Sequence, residues 1–491
     1  MCLVSSKSLK EATTWLNLAI GLLLIVLVLY QLSTTVADPD LWGYLAFGKL
    51  FWSSVKFPYR DVFSYVPTLN LWVYHEWLTG VFFYPLYQNL GTAGLQIFKY
   101  LMVLATFWLV YLTARKRGAY FFAFALILVM AIRGWIYFGY SPVRAQVFTY
   151  FLFAFTLYLL ESARLKNRWG GLWLVILIQV FWCNLHGGFL AGLGLISLYA
   201  LGEFISGRSF VPYLLTLLLA ALSTLINPYG IAYHNYIIRA VSMPRPEIWE
   251  WASIKQAYLL GAITWREILH LLSMIIFGLL LMWRNHWKDI TASLTLCVTL
   301  YLGVLHIRHL VFFYLLIAAY FPDLMTYYWE DLKSKPRVMG GLRSFGIRGP
   351  VVVVTIMTVF IAFSFFKQSP LIINVPSKPG SGLYYPVGAV AYIQEHKLSG
   401  KLLTEEFHWG EYLLWNLYPQ CKVALDGRYE TVYPDEIAKK YFADFSQFLA
   451  DYPPDMVLIG IRSNLYRMLK SDQRWCEVYA DAGCTLFIKD L

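Results

Sequence analysis

Runs of apolar residues long enough to cross a lipid bilayer recur along the first three quarters of the chain. A spanning helix needs about 20 mainly apolar residues, because the hydrocarbon core of a bilayer is about 30 Å thick. Lipid offers no partner to an unpaired backbone group, so such runs fold as helices. They predict an all-α membrane domain with eleven spans, at residues 13–36, 93–113, 119–138, 146–163, 170–185, 188–206, 211–227, 266–283, 289–305, 309–325 and 349–366.

The overall composition agrees with a polytopic membrane protein. Only 14% of the 491 residues are charged and 59% are hydrophobic, whereas a soluble chain carries about 25% charged residues. Aromatic residues reach 18%, as expected where Trp and Tyr collect at membrane interfaces. The formal net charge of +11 is spread over short loops, so we interpret it as a topology signal and expect no nucleic-acid partner.

The basic loops fix the orientation of the predicted spans. Cytoplasmic loops collect Lys and Arg, and every strongly basic short loop falls on one side when the N-terminus starts in the cytoplasm. This alternation predicts a cytoplasmic N-terminus and a C-terminus outside. No Asn-x-Ser/Thr sequon occurs in the chain, which favours a bacterial cytoplasmic membrane over the endoplasmic reticulum.

Two apolar segments of the first outer loop do not qualify as spans. Residues 78–91 form a run of only about 14 residues, which is short for a span, so we expect a helix that lies along or dips into the outer leaflet. Residues 41–53 place their apolar residues on one helical face, which predicts an interfacial amphipathic helix.

The composition changes after the last span. Residues 367–383 form a linker rich in Pro, Ser and Gly, and residues 384–491 alternate between helix and strand signals. We therefore divide the chain into a membrane domain at 1–366, with a long first outer loop at 37–92, and a small α/β domain on the outer side.

Ionisable residues collect on the outer side. Such groups are costly at membrane depth and mark functional sites. Five of the seven histidines before residue 366 fall in outer loops, whereas the cytoplasmic loops are short and merely basic. We expect the active face to be the outer one.

The first outer loop opens with Asp38-Pro39-Asp40 directly after the first span. Two carboxylates separated by a conformationally fixed Pro can aim at one point. They can hold a divalent cation such as Mg²⁺ or Mn²⁺, or divide into a general base and its orienting partner. The alternative is structural, since Asp is a favoured N-cap for a following helix.

Other outer residues suit a phosphate-bearing ligand. Arginine binds phosphate through paired hydrogen bonds, and Arg144 and Arg308 lie close to span ends, where His309 can share the task. His306 and His309 can instead form a pair satisfied by hydrogen bonds between helices. The remaining outer-face candidates are Arg60, His75, Glu76, His186 and His306.

The C-terminal domain carries a polar cluster of its own. Its members follow predicted strands, so they can share the carboxyl end of one sheet, where α/β sheets bind ligands. The alternative is a solvated loop cluster with an Asp426–Arg428 ion pair. The candidate ligand contacts are Glu405, His408, Trp409, Asp426 and Arg428.

Together these features resemble the GT-C class of glycosyltransferases, which includes protein O-mannosyltransferases and bacterial aminoarabinose and arabinosyl transferases. The shared features are a first span, an outer loop opening with the acidic DPD motif, about eleven spans and an outer C-terminal domain. The segments HEW, NLHGGF, HWGEYLLW and DGRYE look like those of uncharacterised bacterial members. The WWD-type signature of oligosaccharyltransferases is absent, which disfavours en bloc transfer to Asn.

The resemblance implies an enzyme of the cell envelope with a polyprenyl-phosphate-linked sugar donor. It implies inverting transfer of a hexosyl or pentosyl group to a lipid, glycan or protein acceptor. Asp38 would be the base, although Asp40 can exchange roles with it. The main alternative is a transporter or flippase for a glycolipid or polysaccharide precursor, which would place ionisable groups near mid-bilayer and use paired repeats. A metal-dependent hydrolase is a further alternative, but the chain contains no HExxH motif.

Overall fold

A computed structural model describes residues 6–54, 56–138, 142–243, 248–284, 288–334, 348–380, 382–461 and 463–490. Helices dominate as far as residue 367, and a five-stranded sheet follows. The helices of the first part are α1 (Ser6–Gln31), α2 (Pro39–Ser54), α3 (Trp77–Lys116), α4 (Phe121–Phe138), α5 (Gln146–Lys166), α6 (Trp173–Leu185), α7 (Phe189–Ile205), α8 (Val211–Ser223), α9 (Ile231–Ser242), α10 (Ile254–Leu259), α11 (Trp265–Arg284), α12 (Ile290–Leu305), α13 (Leu310–Lys333) and α14 (Arg348–Lys367).

The predicted spans coincide with these helices. Within the ranges given above, seven helices are long and apolar enough to cross a membrane, and four shorter apolar helices accompany them. Each of the eleven predicted runs falls on one of these helices. The predicted all-α membrane domain is therefore confirmed, because bilayer thickness imposes a length that the sequence shows directly.

The short apolar run at 78–91 is helical and continues into the next span. The chain breaks inside α3 at Gly91, which has a φ of 60° and a ψ of −153°. A residue without Cβ adopts this conformation at little cost, so the Gly separates a first helical segment from the span that follows. The depth of this segment in the outer leaflet stays a prediction.

Helix α2 corrects the prediction of an interfacial amphipathic helix at 41–53. All residues from 41 to 48 are buried in protein. The helix crosses the start of α3 so closely that a Cβ on Gly48 would lie 2.2 Å from the carbonyl oxygen of Gly80. The C-terminal domain also packs against α2, where Glu411 accepts the Gly43 N–H and Trp415 lies beside Lys49, and the local sequence pattern does not reveal this contact.

The C-terminal sheet has the strand order β2-β1-β3-β5-β4. Strand β1 runs parallel to both β2 and β3, whereas β5 is antiparallel to β3 and β4. The predicted α/β class is confirmed, but β4 was missed because its residues are half-buried or exposed and show no buried face. The elements are α15 (Val387–Glu395), β1 (Gly400–Thr404), α16 (Gly410–Leu417), β2 (Cys421–Val423), α17 (Asp435–Ala443), α18 (Phe445–Asp451), β3 (Met456–Gly460), α19 (Leu465–Ser471), β4 (Trp475–Ala480) and β5 (Cys484–Lys489).

The first outer loop pairs with the edge of this sheet. Ser64 forms a parallel bridge with Val423 of β2. The Val423 N–H donates to the Phe63 carbonyl at 3.0 Å, and the Tyr65 N–H donates to the Val423 carbonyl at 3.1 Å. The C-terminal domain is therefore built onto the loop that carries Asp38 and Asp40.

A buried ion network lies at the helix ends predicted to face the cytoplasm. Arg117 pairs with Glu161 at 2.7 Å and with both Asp289 and Asp323 at 2.9 Å. Arg164 pairs with the same Glu161 at 2.6 Å and with Asp289 at 2.9 Å. The basic loops therefore contribute two arginines to a buried network with carboxylates of the predicted spans. Their arginines tie α5, α13 and the start of α12 to the end of α3, which spacing along the sequence does not show.

We predict that Arg117→Ala destabilises the protein, because it leaves Asp323 without its cation and leaves Glu161 and Asp289 with Arg164 alone. Breaking a buried ion pair from one side costs about 3–5 kcal/mol. The thermal unfolding midpoint of the purified protein should fall clearly for Arg117→Ala and stay unchanged for Arg115→Ala, since Arg115 is the exposed basic neighbour. Equal midpoints for the two variants would contradict the structural role of this network.

Candidate active site

The guanidinium of Arg144 contacts carboxylates from two other parts of the chain. Its Nε lies 3.6 Å from Asp38 Oδ1, its Nη2 pairs with Asp40 Oδ2, and its Nη1 lies 3.5 Å from Glu250 Oε1. Asp38 and Asp40 open the first outer loop, whereas Glu250 lies on a single 3-10 turn at Trp249–Trp251. The charge of this guanidinium is thus balanced by carboxylates.

The Asp38 carboxyl group caps α2 and also belongs to this acidic centre. Its Oδ1 accepts the Asp40 N–H at 3.1 Å, so the structural alternative of an N-cap is realised in the geometry. The contacts that the described residues make with this carboxyl go to Oδ1, which leaves Oδ2 able to take a proton. Burial raises the pKa of Asp38 to about 7, with Arg144 opposing the shift and Asp40 and Glu250 adding to it.

Asp40 is held more firmly by the same guanidinium. Burial raises its pKa above the ordinary range, and the charge and hydrogen bond of Arg144 oppose that shift. Since Asp40 Oδ2 is engaged by Arg144 Nη2, its carboxyl group is less available for proton transfer. The geometry therefore distinguishes two carboxylates that the motif alone leaves interchangeable.

The acidic pair does not fit the predicted divalent cation as it is arranged. Arg144 occupies the position beside Asp38 and Asp40 where such a cation would sit. In the part of the chain that the structure describes, no three His, Cys, Asp or Glu side chains are grouped to hold a metal. The divalent cation at Asp38 and Asp40 therefore stays a prediction, and their pairing with Arg144 speaks against it.

Glu76 forms a second acidic group together with two histidines. Its Oε1 lies 3.4 Å from His186 Nε2 and 3.7 Å from His75 Nε2. The Gly188 N–H donates to His186 Nδ1 at 3.0 Å, so the neutral imidazole carries its proton on Nε2, facing Glu76. Burial, reinforced by the charge of Asp40, raises the pKa of Glu76 to about 8. At neutral pH this carboxyl group is therefore mostly protonated.

His75 links this group to the C-terminal domain. Its Nδ1 lies 3.1 Å from the Tyr236 hydroxyl, which donates to Glu430 Oε1 at 3.2 Å. Burial lowers the pKa of His186 well below its usual value, and the positive charge of Arg308 adds to the effect. The imidazole of His186 is therefore neutral in the working range.

Arg308 differs from Arg144 in having no carboxylate partner among the described residues. Its guanidinium lies 4.5 Å above the ring of Trp251 and the side chain is half-buried. Its charge lowers the pKa of both Asp40 and Glu76, although burial outweighs it. Arg308 therefore faces the same site and keeps donors for an anion.

Of the other predicted outer residues, His306 and His309 contact Trp251, whereas Arg60 is exposed. His306 Nδ1 is 2.6 Å from the Trp251 carbonyl, as the alternative of a hydrogen bond between helices anticipated. The His309 ring packs 5.9 Å from that of His306 and edge-on to Trp251. Arg60 is exposed on the first outer loop, with no ion pair to any residue in the described ranges.

In the C-terminal cluster, three of the five predicted residues are buried. The guanidinium of Arg428 donates to Asp426 at 2.8 and 2.6 Å and also pairs with Asp61 of the first outer loop. Trp409 is fully buried, and its indole N–H donates to the Tyr384 carbonyl at 2.9 Å. The Asp426–Arg428 ion pair was predicted, but as part of a solvated loop, whereas both residues are buried. The pair between Arg428 and Asp61 holds the domain to the loop.

Glu405 and His408 lie at the surface of the same domain. Glu405 lines a cleft together with Glu406, and His408 Nδ1 is 3.6 Å from Glu406 Oε2. Both side chains are half-buried. They are the members of the predicted cluster that a ligand can reach.

Two further buried charged residues contact the chain on either side of Asp38 and Asp40, and of these Lys99 was missing from the predicted sites. Glu411 is 4% exposed, and its Oε2 accepts the Gly43 N–H of α2 at 3.0 Å. Lys99 is 2% exposed within α3, and its Nζ donates to the Thr34 carbonyl at 3.0 Å. Lys99 is the only charged residue in the predicted span 93–113. Because charges within spans often mark functional sites, the sequence could have identified it.

Comparison with known proteins identifies the fold. No protein-family model and no curated protein matches the sequence. The archaeal oligosaccharyltransferase AglB from Archaeoglobus fulgidus, solved with an inhibitory peptide and a dolichol-phosphate, is similar with a TM-score of 0.55 and 10% identity, over 91% of this chain and 70% of that chain. ArnT from Cupriavidus metallidurans, solved in the apo state and bound to undecaprenyl phosphate, gives a TM-score of 0.52 and 12% identity, over 97% of this chain and 98% of that chain. The chain therefore has the GT-C fold that its sequence resemblance implied.

Proposed function

We propose that this protein is a membrane glycosyltransferase that moves a hexosyl or pentosyl group from a polyprenyl-phosphate carrier to an acceptor. The observation that carries the proposal is the buried site at the end of the first span. There Asp38, Asp40, Glu76, Arg144 and Arg308 converge within the GT-C fold. The solved ArnT with a similar fold holds undecaprenyl phosphate, which supports a lipid-phosphate donor for this chain.

Asp38 is the proposed general base. A base is most effective when its pKa lies near the working pH, and burial brings that of Asp38 to about 7. Its Oδ2 takes the proton of the acceptor hydroxyl while that oxygen attacks the anomeric carbon. The bond from this carbon to the phosphate oxygen breaks, the configuration inverts, and the polyprenyl phosphate leaves with the bonding electrons. Asp40 holds Arg144 in place during this step.

Arg308 is the proposed phosphate ligand. Negative charge grows on the phosphate as the sugar departs, and preorganised cationic donors in a water-poor site stabilise that charge. Arg144 is already paired with Asp38, Asp40 and Glu250, so its role is to assemble the acidic centre. His309, adjacent in the chain to Arg308, is the second candidate to contact the phosphate.

The proposed setting is the bacterial cytoplasmic membrane, with the site on its outer face. The alternation of basic loops supports this orientation, and the paired first outer loop and C-terminal domain then share the outer compartment. A lipid, glycan or protein can serve as the acceptor, since each can present a hydroxyl group at this boundary.

We predict that Asp38→Asn abolishes transfer while the protein still folds. Asn keeps the capping ability of Asp but cannot take a proton, and removing a general base lowers the rate about 10²–10⁴-fold. Transfer by the wild type should rise with pH through about 7, because the carboxyl group must be deprotonated. The assay follows transfer of a labelled sugar from polyprenyl-phosphate in proteoliposomes.

Two variants serve as controls for that assay. Asp444 likewise caps a helix through its carboxyl group, which accepts the Gln447 N–H at 2.9 Å, so Asp444→Asn is a matched capping change in the C-terminal domain. Glu76→Gln tests whether the pH dependence comes from Glu76 or from Asp38. The transfer rate of this variant should still rise with pH near 7. Two results would show that Asp38 is not the base. One is a wild-type transfer rate in Asp38→Asn, and the other is a Glu76→Gln variant whose transfer rate no longer depends on pH.

We also predict that Arg308→Ala raises the KM for the donor without lowering stability. A hydrogen bond to a charged group contributes about 1.5–3 kcal/mol, and no carboxylate in the described part of the chain forms an ion pair with Arg308 that the substitution would break. Arg308→Lys should restore part of the affinity, since Lys keeps the charge but not the fork of donors. Arg239→Ala is the control, because that arginine pairs with Asp435 at the domain surface. An unchanged donor KM in Arg308→Ala would show that Arg308 does not bind the phosphate.

A further inference from the structure

An open cleft of about 430 Å³ lies in the C-terminal domain, apart from the buried site. Small-molecule sites are usually clefts of about 300–1,000 Å³. The polar residues of its wall are Tyr384, Glu405, Glu406, Ser463 and Asn464. We refer to it as the switch-point cleft.

The position of the cleft follows from the strand order. Glu405 and Glu406 come directly after β1, and Ser463 and Asn464 come shortly after β3, its parallel neighbour. From β1 the chain moves outward to β2 and then crosses back to β3 on the other side of β1. The cleft therefore lies at the carboxyl ends of two parallel strands where the winding direction reverses, which is where open α/β sheets bind ligands.

The wall chemistry favours a ligand rich in hydrogen-bond donors. Two carboxylates, two hydroxyl groups and an amide can accept hydrogen bonds, and no Lys or Arg lines the cleft among the residues that the structure describes. The Tyr384 ring offers a flat wall, and Pro379 and Ile461 add apolar surface. Sugar rings present both hydroxyl groups and apolar faces, whereas a phosphate or a uronic acid would meet the carboxylates as a like charge.

A short segment connects the cleft with the buried site. Glu406 lines the cleft, and Glu411, five residues further along the chain, accepts the Gly43 N–H of α2. Helix α2 begins beside Asp38 and carries Asp40. The segment that begins at the cleft with Glu406 thus leads directly into α16, which contacts the helix of the proposed catalytic carboxylates.

We propose that the switch-point cleft binds an uncharged or amino sugar of the acceptor and so recruits a glycan acceptor to the buried site. That the bound sugar belongs to an acceptor rests on the proposed function, whereas sugar binding by the cleft does not. Glu406 and Asn464 accept hydrogen bonds from the sugar, and the ring of Tyr384 packs against its apolar face.

The first experiment measures binding on the full-length protein in nanodiscs. A panel of disaccharides composed of uncharged, amino or uronic sugars is screened by saturation-transfer NMR. We expect binding from the uncharged or amino class and none from the uronic class, with Glu406→Gln and Asn464→Ala each weakening it at least fivefold. Glu395→Gln is the control, because Glu395 is exposed at the end of α15 outside the cleft. Absence of binding from the first two classes, equal binding of uronic sugars, or unchanged affinity in both cleft variants would overturn the proposal.

The second experiment connects the cleft with transfer. For a glycan acceptor, Glu406→Gln should raise the acceptor KM at least fivefold and leave kcat and the donor KM unchanged. A variant that no longer binds sugar but keeps a normal acceptor KM would show that the cleft does not recruit the acceptor. If the wild type binds sugar in the cleft yet transfers none from any polyprenyl-phosphate donor, the proposed function fails while the binding site stands.

Discussion

The pairing of the half-buried Arg144 guanidinium with carboxylates is the interaction on which the arrangement of the site depends. Moving an ion out of water costs several kcal/mol unless opposite charges compensate it. The fold supplies Asp38 and Asp40 from the first outer loop and Glu250 from the turn at Trp249–Trp251. This pairing brings distant parts of the chain to the end of the first span. Because it also satisfies the charge of Arg144, Arg308 is the better placed of these two arginines to bind a phosphate.

The same principle holds the rest of the molecule together at two other places. Arg117 joins helix ends on the side predicted to be cytoplasmic, and Arg428 joins the C-terminal domain to Asp61 of the first outer loop. The second contact matters for chemistry, because that loop begins with Asp38. Together with the bond from Gly43 to Glu411, it makes the C-terminal domain part of the frame that positions the carboxylates.

The sequence reveals features that depend on one local constraint and conceals those that depend on distant contacts. Span positions follow from bilayer thickness, so all eleven apolar runs correspond to helices. Helix α2 is buried partly by a distant part of the chain, since the Gly43 N–H donates to Glu411, 368 positions away. A local pattern cannot show such a contact. Likewise, Arg144 and Arg308 are equivalent in the sequence, and only the folded chain shows which of them is already paired. Lys99 was detectable as a lone charge within a span, but its partner Thr34 was not.

A cryo-EM structure of the protein in nanodiscs containing a polyprenyl phosphate would test the account most directly. The account predicts phosphate density in hydrogen-bond contact with the Arg308 guanidinium, with the carboxyl group of Asp38 facing the same space. It also predicts that Arg144 keeps its pairing with Asp40 when the lipid is bound. Phosphate density bound elsewhere, for example beside the Arg117 network, with the space at Arg308 left empty, would contradict the account.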